Sequence, residues 1–351
     1  MTQSEFHWQP FVILSLSTFT ALVSLESFVA RRRKVKLYKR DNSIASVIVL
    51  FGYLTTTTLW NAYVVHPTFV WFHQFSLWQI GPKLGDSLSA FFTPAFFALV
   101  LLDDLTYYIH HRISHRVPFL FAIHETHHTS KVYNILVAAR VPWIDFTSFV
   151  FWIPLVLLGF HPAVVMMQHA LNMTYNLFLH TELVRKMGFL ESFWNTPSHH
   201  RVHHGTQAKY IDKNFGCLLI IWDKMFGTFQ PEEEQSEYGT VPDLKSESVY
   251  DIVTHGVRSY FKLHVRPLFK GAAPSTESAP SEESASTLKP LKGPRVARPL
   301  PNHYVSPSVI AARDIELSPR AVATSPDHPV AAGAELPPTR FEPRGPVASL
   351  K

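Results

Sequence analysis

The chain of 351 residues has one cysteine, Cys217. A single thiol excludes an internal disulfide framework, a cysteine-based zinc site and an iron–sulfur cluster. Charge is scarce as well. Asp, Glu, Lys and Arg make up 17% of the chain, where soluble domains carry about a quarter. No internal repeat runs along it. From Gly271 onward the sequence has very few aromatics and more than half of the 26 prolines. Such a stretch buries too little apolar area to offset its ordering entropy, so 271–351 is expected to be a disordered tail.

What the chain does have is apolar length. Hydrophobic residues reach 46%, with 27 Phe and 8 Trp. Phe11 to Ala30 is long enough to cross a bilayer, with Glu26 its only charge. Ile44 to Val65 forms a second, uncharged span, and Pro67 to Leu84 is aromatic and reads as interfacial. Ser87 to Leu102 begins a third span, with Pro94 as a candidate kink. Val141–Phe160 and Ala163–Leu179 read as a helical hairpin, and Phe215–Trp222 as a short buried piece.

Seven of the ten residues from Arg31 to Arg40 are Lys or Arg. A basic run between two apolar stretches is juxtamembrane rather than nucleic-acid binding, and it sets that loop on the cytoplasmic side. Two spans later the chain returns to the same side near His110. The predicted fold is all-α, with multi-pass membrane helices and a cytoplasmic helical lobe. The expected divisions are 1–85 for the first helices and basic loop, 86–270 for the lobe and 271–351 for the tail.

Histidines gather at the cytoplasmic helix ends. His111 and His115 form an H-x-x-x-H pair. His124, His127 and His128 form H-x-x-H-H, and His200, His203 and His204 repeat it. His180 ends an apolar run between them. At helical spacing each cluster shares one face. Neutral imidazole binds iron, copper, zinc and nickel, and one tetrahedral site takes at most four ligands, so nine imidazoles point to two metals. His7, His66, His73, His161, His255, His264, His303 and His328 read as ordinary core or surface residues. Asp104 stands seven residues before His111 and is a candidate to orient a ligand imidazole; Glu125 is another. The alternative for both is a helix-end or surface carboxylate.

The series Asp104-x-x-Tyr107-Tyr108-x-x-His111-Arg112-x-x-His115, then His124-x-x-His127-His128, then His200-x-x-His203-His204, resembles the fatty acid hydroxylase (sterol desaturase) superfamily of membrane di-iron enzymes. The likeness covers roughly Leu99 to Phe229. The run from His180-Thr-Glu through Asn195–Gly205, Tyr210–Asn214 and Ile221–Phe229 is similar to its alkylglycerol monooxygenase-like branch. The resemblance implies two irons held by His111, His115, His124, His127, His128, His180, His200, His203 and His204. His110 and His199 fall outside those motifs. Asn176 stands where some members have a histidine, and is expected to bind weakly or to hold a metal-bound water.

The implied reaction is O2-dependent hydroxylation of a membrane lipid: an ether lipid, sterol, fatty acyl or aminolipid. No cytochrome b5-like segment is visible, so an external donor is expected, a reduced pterin or a cytochrome b5-like protein. The loop Val117–Phe121 and the early spans would shape the lipid's path. The implied location is the endoplasmic reticulum membrane in a eukaryote or the inner membrane in a bacterium, with the site facing the cytoplasm. A desaturase on the same scaffold is one alternative. A metal transporter is another, but it would place its ligands at mid-membrane.

Overall fold

The computed structural model describes residues 9–83, 86–143, 145–240 and 244–266. The expected tail, 271–351, lies outside the described residues. Among the described residues every regular element is helical. Isolated bridges (Ile80 with Phe160, Trp194 with Leu219, Gly205 with Tyr238) tie the loops together.

Helix α1 runs over Gln9–Arg32 and α2 over Arg40–Trp60. α2 continues through a wider turn at Asn61–Val65 into α3, His66–His73. The ranges Ile13–Arg32 and Arg40–His73 are long and apolar enough to cross a membrane. Ile13, Leu25, Phe28, Ile44, Ile48 and Phe51 stay exposed along them, as lipid-facing side chains would. Glu26 is buried, where its carboxylate accepts hydrogen bonds from Ile135 N, Tyr38 Oη and Thr181 Oγ1. The first part of Pro67–Leu84, read as interfacial, is helical: 66–73 continues the run from Arg40, and its 34 residues outreach a bilayer core of about 30 Å. Pro67 has no N–H to give, and the wide turn just before it absorbs the misfit.

Helix α4 spans Pro94–Arg116 without a break. Pro94 is not a kink. It occupies the first turn, where a missing N–H costs nothing, and Thr93 caps the helix by accepting from Phe96 N. α4 carries buried Asp103 and Asp104 mid-way and ends in polar residues, so it does not class with the two apolar helices. The hairpin is also shorter than expected. Its first arm is a tight turn at Ser148–Trp152 followed by α6, Ile153–Leu158. Eleven residues rise about 16 Å, too little for a bilayer core of about 30 Å. Pro142 and Pro154 limit that arm. Gly159 makes the corner at φ +116°, where a Cβ would lie 2.1 Å from Trp78 O. α7 follows, Pro162–Leu179.

Leu99, Trp152, Leu155, Val156, Phe160, Val164 and Val165 form the main core where α4, α6 and α7 meet, and Phe69 of α3 joins it. The short helices α5 (Pro118–His128), α8 (Pro197–His203) and α9 (Ile221–Met225) lie beyond that core. α10, Val249–Tyr260, packs across α5. Gly256 makes the close approach: a Cβ there would sit 2.1 Å from Ala122 O and 2.8 Å from Glu125 Oε2. Gly256→Ala is therefore expected to destabilise the fold by about 1–3 kcal/mol, the usual cost of overpacking. A thermal melt of the detergent-solubilised protein checks it, and an unchanged midpoint would show that α10 is only loosely docked.

Candidate metal centre

α4 brings His111 and His115 to one point, α5 brings His124, His127 and His128, and α8 brings His200, His203 and, at its cap, His204. His180 caps the C-terminus of α7. All nine predicted histidines meet, in two groups. His111, His115, His124, His128 and His203 form one, and His127, His180, His200 and His204 the other. Within each group the candidate ligand atoms lie within 4.8 Å of one another. The groups adjoin, with the His128 and His204 ring centroids 4.5 Å apart.

Protons decide what such a cluster can hold. His111 Nδ1–H donates to Phe215 O at 2.9 Å, His180 Nδ1–H to Asn176 O at 2.9 Å, His203 Nδ1–H to Lys213 O at 2.9 Å and His127 Nδ1–H to Arg140 O at 3.3 Å. A carbonyl only accepts, so each ring commits its proton outward and turns the Nε2 lone pair inward. His127 Nε2 and His180 Nε2 then face each other at 3.1 Å, and His180 Nε2 faces His200 Nε2 at 3.1 Å. Taking up a further proton is opposed. Burial, set against the Arg140 carbonyl, pushes His127 down to about 4. Burial first and neighbouring imidazoles second hold His200, His203 and His204 well below the usual range. His115 Nε2 and His203 Nε2 are buried and find no hydrogen-bond partner among the described residues. Converging lone pairs without protons fit a transition-metal cation, and an all-imidazole set suits iron, copper, zinc or nickel.

The loop 213–223 supplies two of the four carbonyls. Asp223 holds it by accepting from Phe215 N (2.8 Å), Gly216 N (2.7 Å) and Thr228 Oγ1 (2.6 Å). Asp104 holds the next stretch, accepting from Leu218 N (2.7 Å), Leu219 N (3.0 Å) and Trp222 Nε1 (2.8 Å). None of these partners is a histidine, so the expected direct contact of Asp104 with a ligand imidazole is not what the structure shows. Seven residues along a helix restore the face but displace the side chain by about 10 Å along the axis. Glu125 pairs with His255 Nδ1 of α10 at 3.2 Å and borders the same small cavity as His115, His128, His203 and His204. Asn176 contributes its carbonyl to His180, while its side-chain amide faces Cys217 Sγ at 3.7 Å. His110 packs on Phe151 and Trp152, and His199 on Phe229, both outside the two groups.

Sequence reasoning passes over several supports. Arg140 is fully buried and binds Ser46, Thr129, Asn42 O and Glu247 while its own carbonyl takes the His127 proton. Arg201 grips Glu232 with two bonds of 2.6 Å and the carbonyls of Thr181 and Val184, which seats the seven-residue α8. Asp212, in the left-handed region at φ 58°, sets Oδ1 3.4 Å from His115 Nδ1. Carbonyl acceptors leave no side-chain signal. Asp212 and Asp223 stand in recognisable runs, Tyr210–Asn214 and Ile221–Phe229, where spacing alone gives them no role. A cavity of about 40 Å³ opens beside His115, His128, His203 and His204.

Two helices long and apolar enough to cross a membrane stand beside a buried all-histidine cluster able to hold metal, the combination expected of a membrane-type metalloprotein. The comparisons place it further. Residues 96–228 match the fatty acid hydroxylase family. The alkylglycerol monooxygenase of Danio rerio is 43% identical over 150 residues, covering 42% of this chain and 33% of that protein. That of Homo sapiens is 45% identical over 137 residues, covering 39% and 31%. The ornithine lipid hydroxylase OlsE of Rhizobium tropici is 29% identical over 153 residues, covering 42% and 46%. No solved structure gives a significant match. The domain at 96–228 is thus a fatty acid hydroxylase domain of the sterol desaturase superfamily, similar to the alkylglycerol monooxygenase-like branch. The chain spans about a third of the length of the alkylglycerol monooxygenases it matches.

Proposed function

We propose that this chain is a membrane-held, iron-dependent monooxygenase that uses O2 to hydroxylate a lipid, with an ether lipid as the first candidate substrate. One observation carries the reading: in both histidine groups proton-free Nε2 atoms converge, with their Nδ1 protons tied to carbonyls. His111, His115, His124, His128 and His203 would hold one iron, and His127, His180, His200 and His204 the other. Bound there, the irons would supply the activation of O2 and the oxidation of a C–H bond. The protein's part is to fix the imidazoles, keep them neutral and keep bulk water out. The electrons would come from outside the chain, from a reduced pterin or a cytochrome b5-like donor.

The geometry supports a cytoplasmic site. The basic loop joining α1 to α2 lies against the histidine side of the fold, since Asn134 Nδ2 donates to Leu37 O at 2.8 Å and Asn42 Nδ2 to Ser130 Oγ at 2.9 Å. Positive charge favours the cytoplasmic face. A mainly apolar cavity of about 360 Å³ between α2 and the 142–146 loop, lined by Tyr53, Trp60, Tyr63, Trp143 and Phe146, has the size and character for part of a hydrocarbon chain.

Metal analysis of the purified active protein is expected to give two irons per chain, and lipid profiles of cells with and without it should differ in a hydroxylated or cleaved lipid. A single tightly held zinc, with activity indifferent to iron chelation, would overturn the proposal.

A further inference from the structure

α10 and the turn after it present three faces. Ile252 and Gly256 are buried against α2 and α5. Asp251, His255, Arg258 and Lys262, spaced at i, i+4, i+7 and i+11, make a charged face. Tyr250, Val257 and Phe261, at i, i+7 and i+11, make a third. Among the described residues its ends stay exposed, Tyr250 at 63% and Phe261 at 55%, with only the Arg258 guanidinium of the same helix reaching over the Tyr250 ring, at 4.8 Å. Lys262 and Arg266 are exposed beside it.

The place of α10 on α2 says what covers that face. Ile252 packs with Ala45 and Val49, five and nine residues beyond Arg40, the basic start of α2. At the rise of a helix this is about 8–13 Å from that end. A basic helix end sits among headgroups, and amphipathic helices bury their apolar face about 5–10 Å into the headgroup–acyl boundary. α10 therefore stands at the depth where an apolar stripe meets acyl chains and an adjacent cationic edge meets lipid phosphates.

We propose that α10 is an interfacial anchor: Tyr250, Val257 and Phe261 enter the headgroup–acyl boundary of an anionic leaflet, with Lys262 and Arg266 on its phosphates. The inference rests on the reading of α1 and α2 as spanning helices. Its consequence reaches the site. α10 holds α5 through Gly256 on Ala122 and His255 on Glu125, and α5 carries three of the converging histidines. The bilayer surface would thus brace the helix that presents His124, His127 and His128.

Cys217 is buried, so one added cysteine takes a fluorescent label on the otherwise intact chain. Phe261→Cys, Phe51→Cys (66% exposed on α2) and Lys209→Cys (a surface control) would be reconstituted in vesicles carrying phosphatidylserine and lipids brominated at shallow or deep acyl positions. The label at 261 is expected to lose at least half its emission to shallow bromines and less to deep ones. Replacing phosphatidylserine with phosphatidylcholine, or adding Lys262→Glu and Arg266→Glu, should weaken that quenching at least twofold. The label at 209 should stay bright. Quenching at 51 without quenching at 261 would overturn the anchor and leave the spanning reading intact. Quenching at 261 without quenching at 51 would keep the anchor and overturn the spanning helix. Quenching at neither would overturn both.

Discussion

His180→Ala is expected to abolish turnover and strip iron from the protein while leaving the helical fold in place. His180 stands alone in the sequence, outside any H-x-x-H-H, yet it joins two helices of the site. Its Nε2 lies 3.1 Å from both His127 Nε2 on α5 and His200 Nε2 on α8. Its Nδ1–H goes to Asn176 O, so the inward nitrogen has only a lone pair to offer. Removing it takes one of four donors from its group. Losing a residue that merely supports a ligand costs about 10–100-fold in metal affinity or activity, and losing a donor should cost more. His161→Ala is the matched control. It precedes the other end of α7, where its ring meets His73, and belongs to neither group. Asn176→Ala should also be mild, because Asn176 enters through its carbonyl. Iron content, turnover and circular dichroism measured on the three variants decide the matter. Near-normal turnover in His180→Ala would remove His180 from the ligand set. Iron loss in Asn176→Ala equal to that in His180→Ala would put the side-chain amide among the ligands.

The histidine cluster is legible in the sequence because helical spacing is a short-range rule. His111 and His115 must share a face, and so must His124 with His127 and His128, whatever the rest of the chain does. That the clusters meet is a long-range fact, which parity of the spans anticipates only in outline. Spacing fails where the axial coordinate matters. Asp104 shares a face with His111 but stands two turns away, and only the fold reveals that it acts through the 218–222 loop. The supports that orient the imidazoles are mostly main-chain carbonyls, and a carbonyl is the same at every residue. Apolar runs mislead in a different way. Val141–Phe160 has the composition of a span, but composition does not fix how much of a run is helical, and among its described residues the helical turns are those of 148–158. α2 errs in the other direction, since the wide turn at 61–65 lets the helix pass a proline that reads as its end.

Asp103 and Asp104 are adjacent, both buried, and expected to fail in different ways. Asp103 accepts from Trp152 Nε1 at 2.6 Å and Asn172 Nδ2 at 3.1 Å, so it ties α4 to the hairpin. Asp104 accepts from two main-chain N–H groups and the Trp222 indole, so it ties α4 to the loop behind the histidines. Truncating either leaves buried donors unpaired, at about 1–3 kcal/mol for each. Both Asp103→Ala and Asp104→Ala should therefore lower the thermal midpoint. Only Asp104→Ala should also loosen the 213–223 loop, and with it the carbonyls of Lys213 and Phe215 that aim His203 and His111. The expected result is about a 10–100-fold weaker hold on iron in Asp104→Ala, the range seen when a group behind a metal ligand is removed. The measurement is chelator competition on folded protein at a temperature below both midpoints, which separates affinity from stability. Asp104→Ala with an iron affinity equal to that of Asp103→Ala would make Asp104 a fold residue only. The aim of His111 and His203 would then rest on Asp223, whose carboxylate already holds the N–H groups of Phe215 and Gly216.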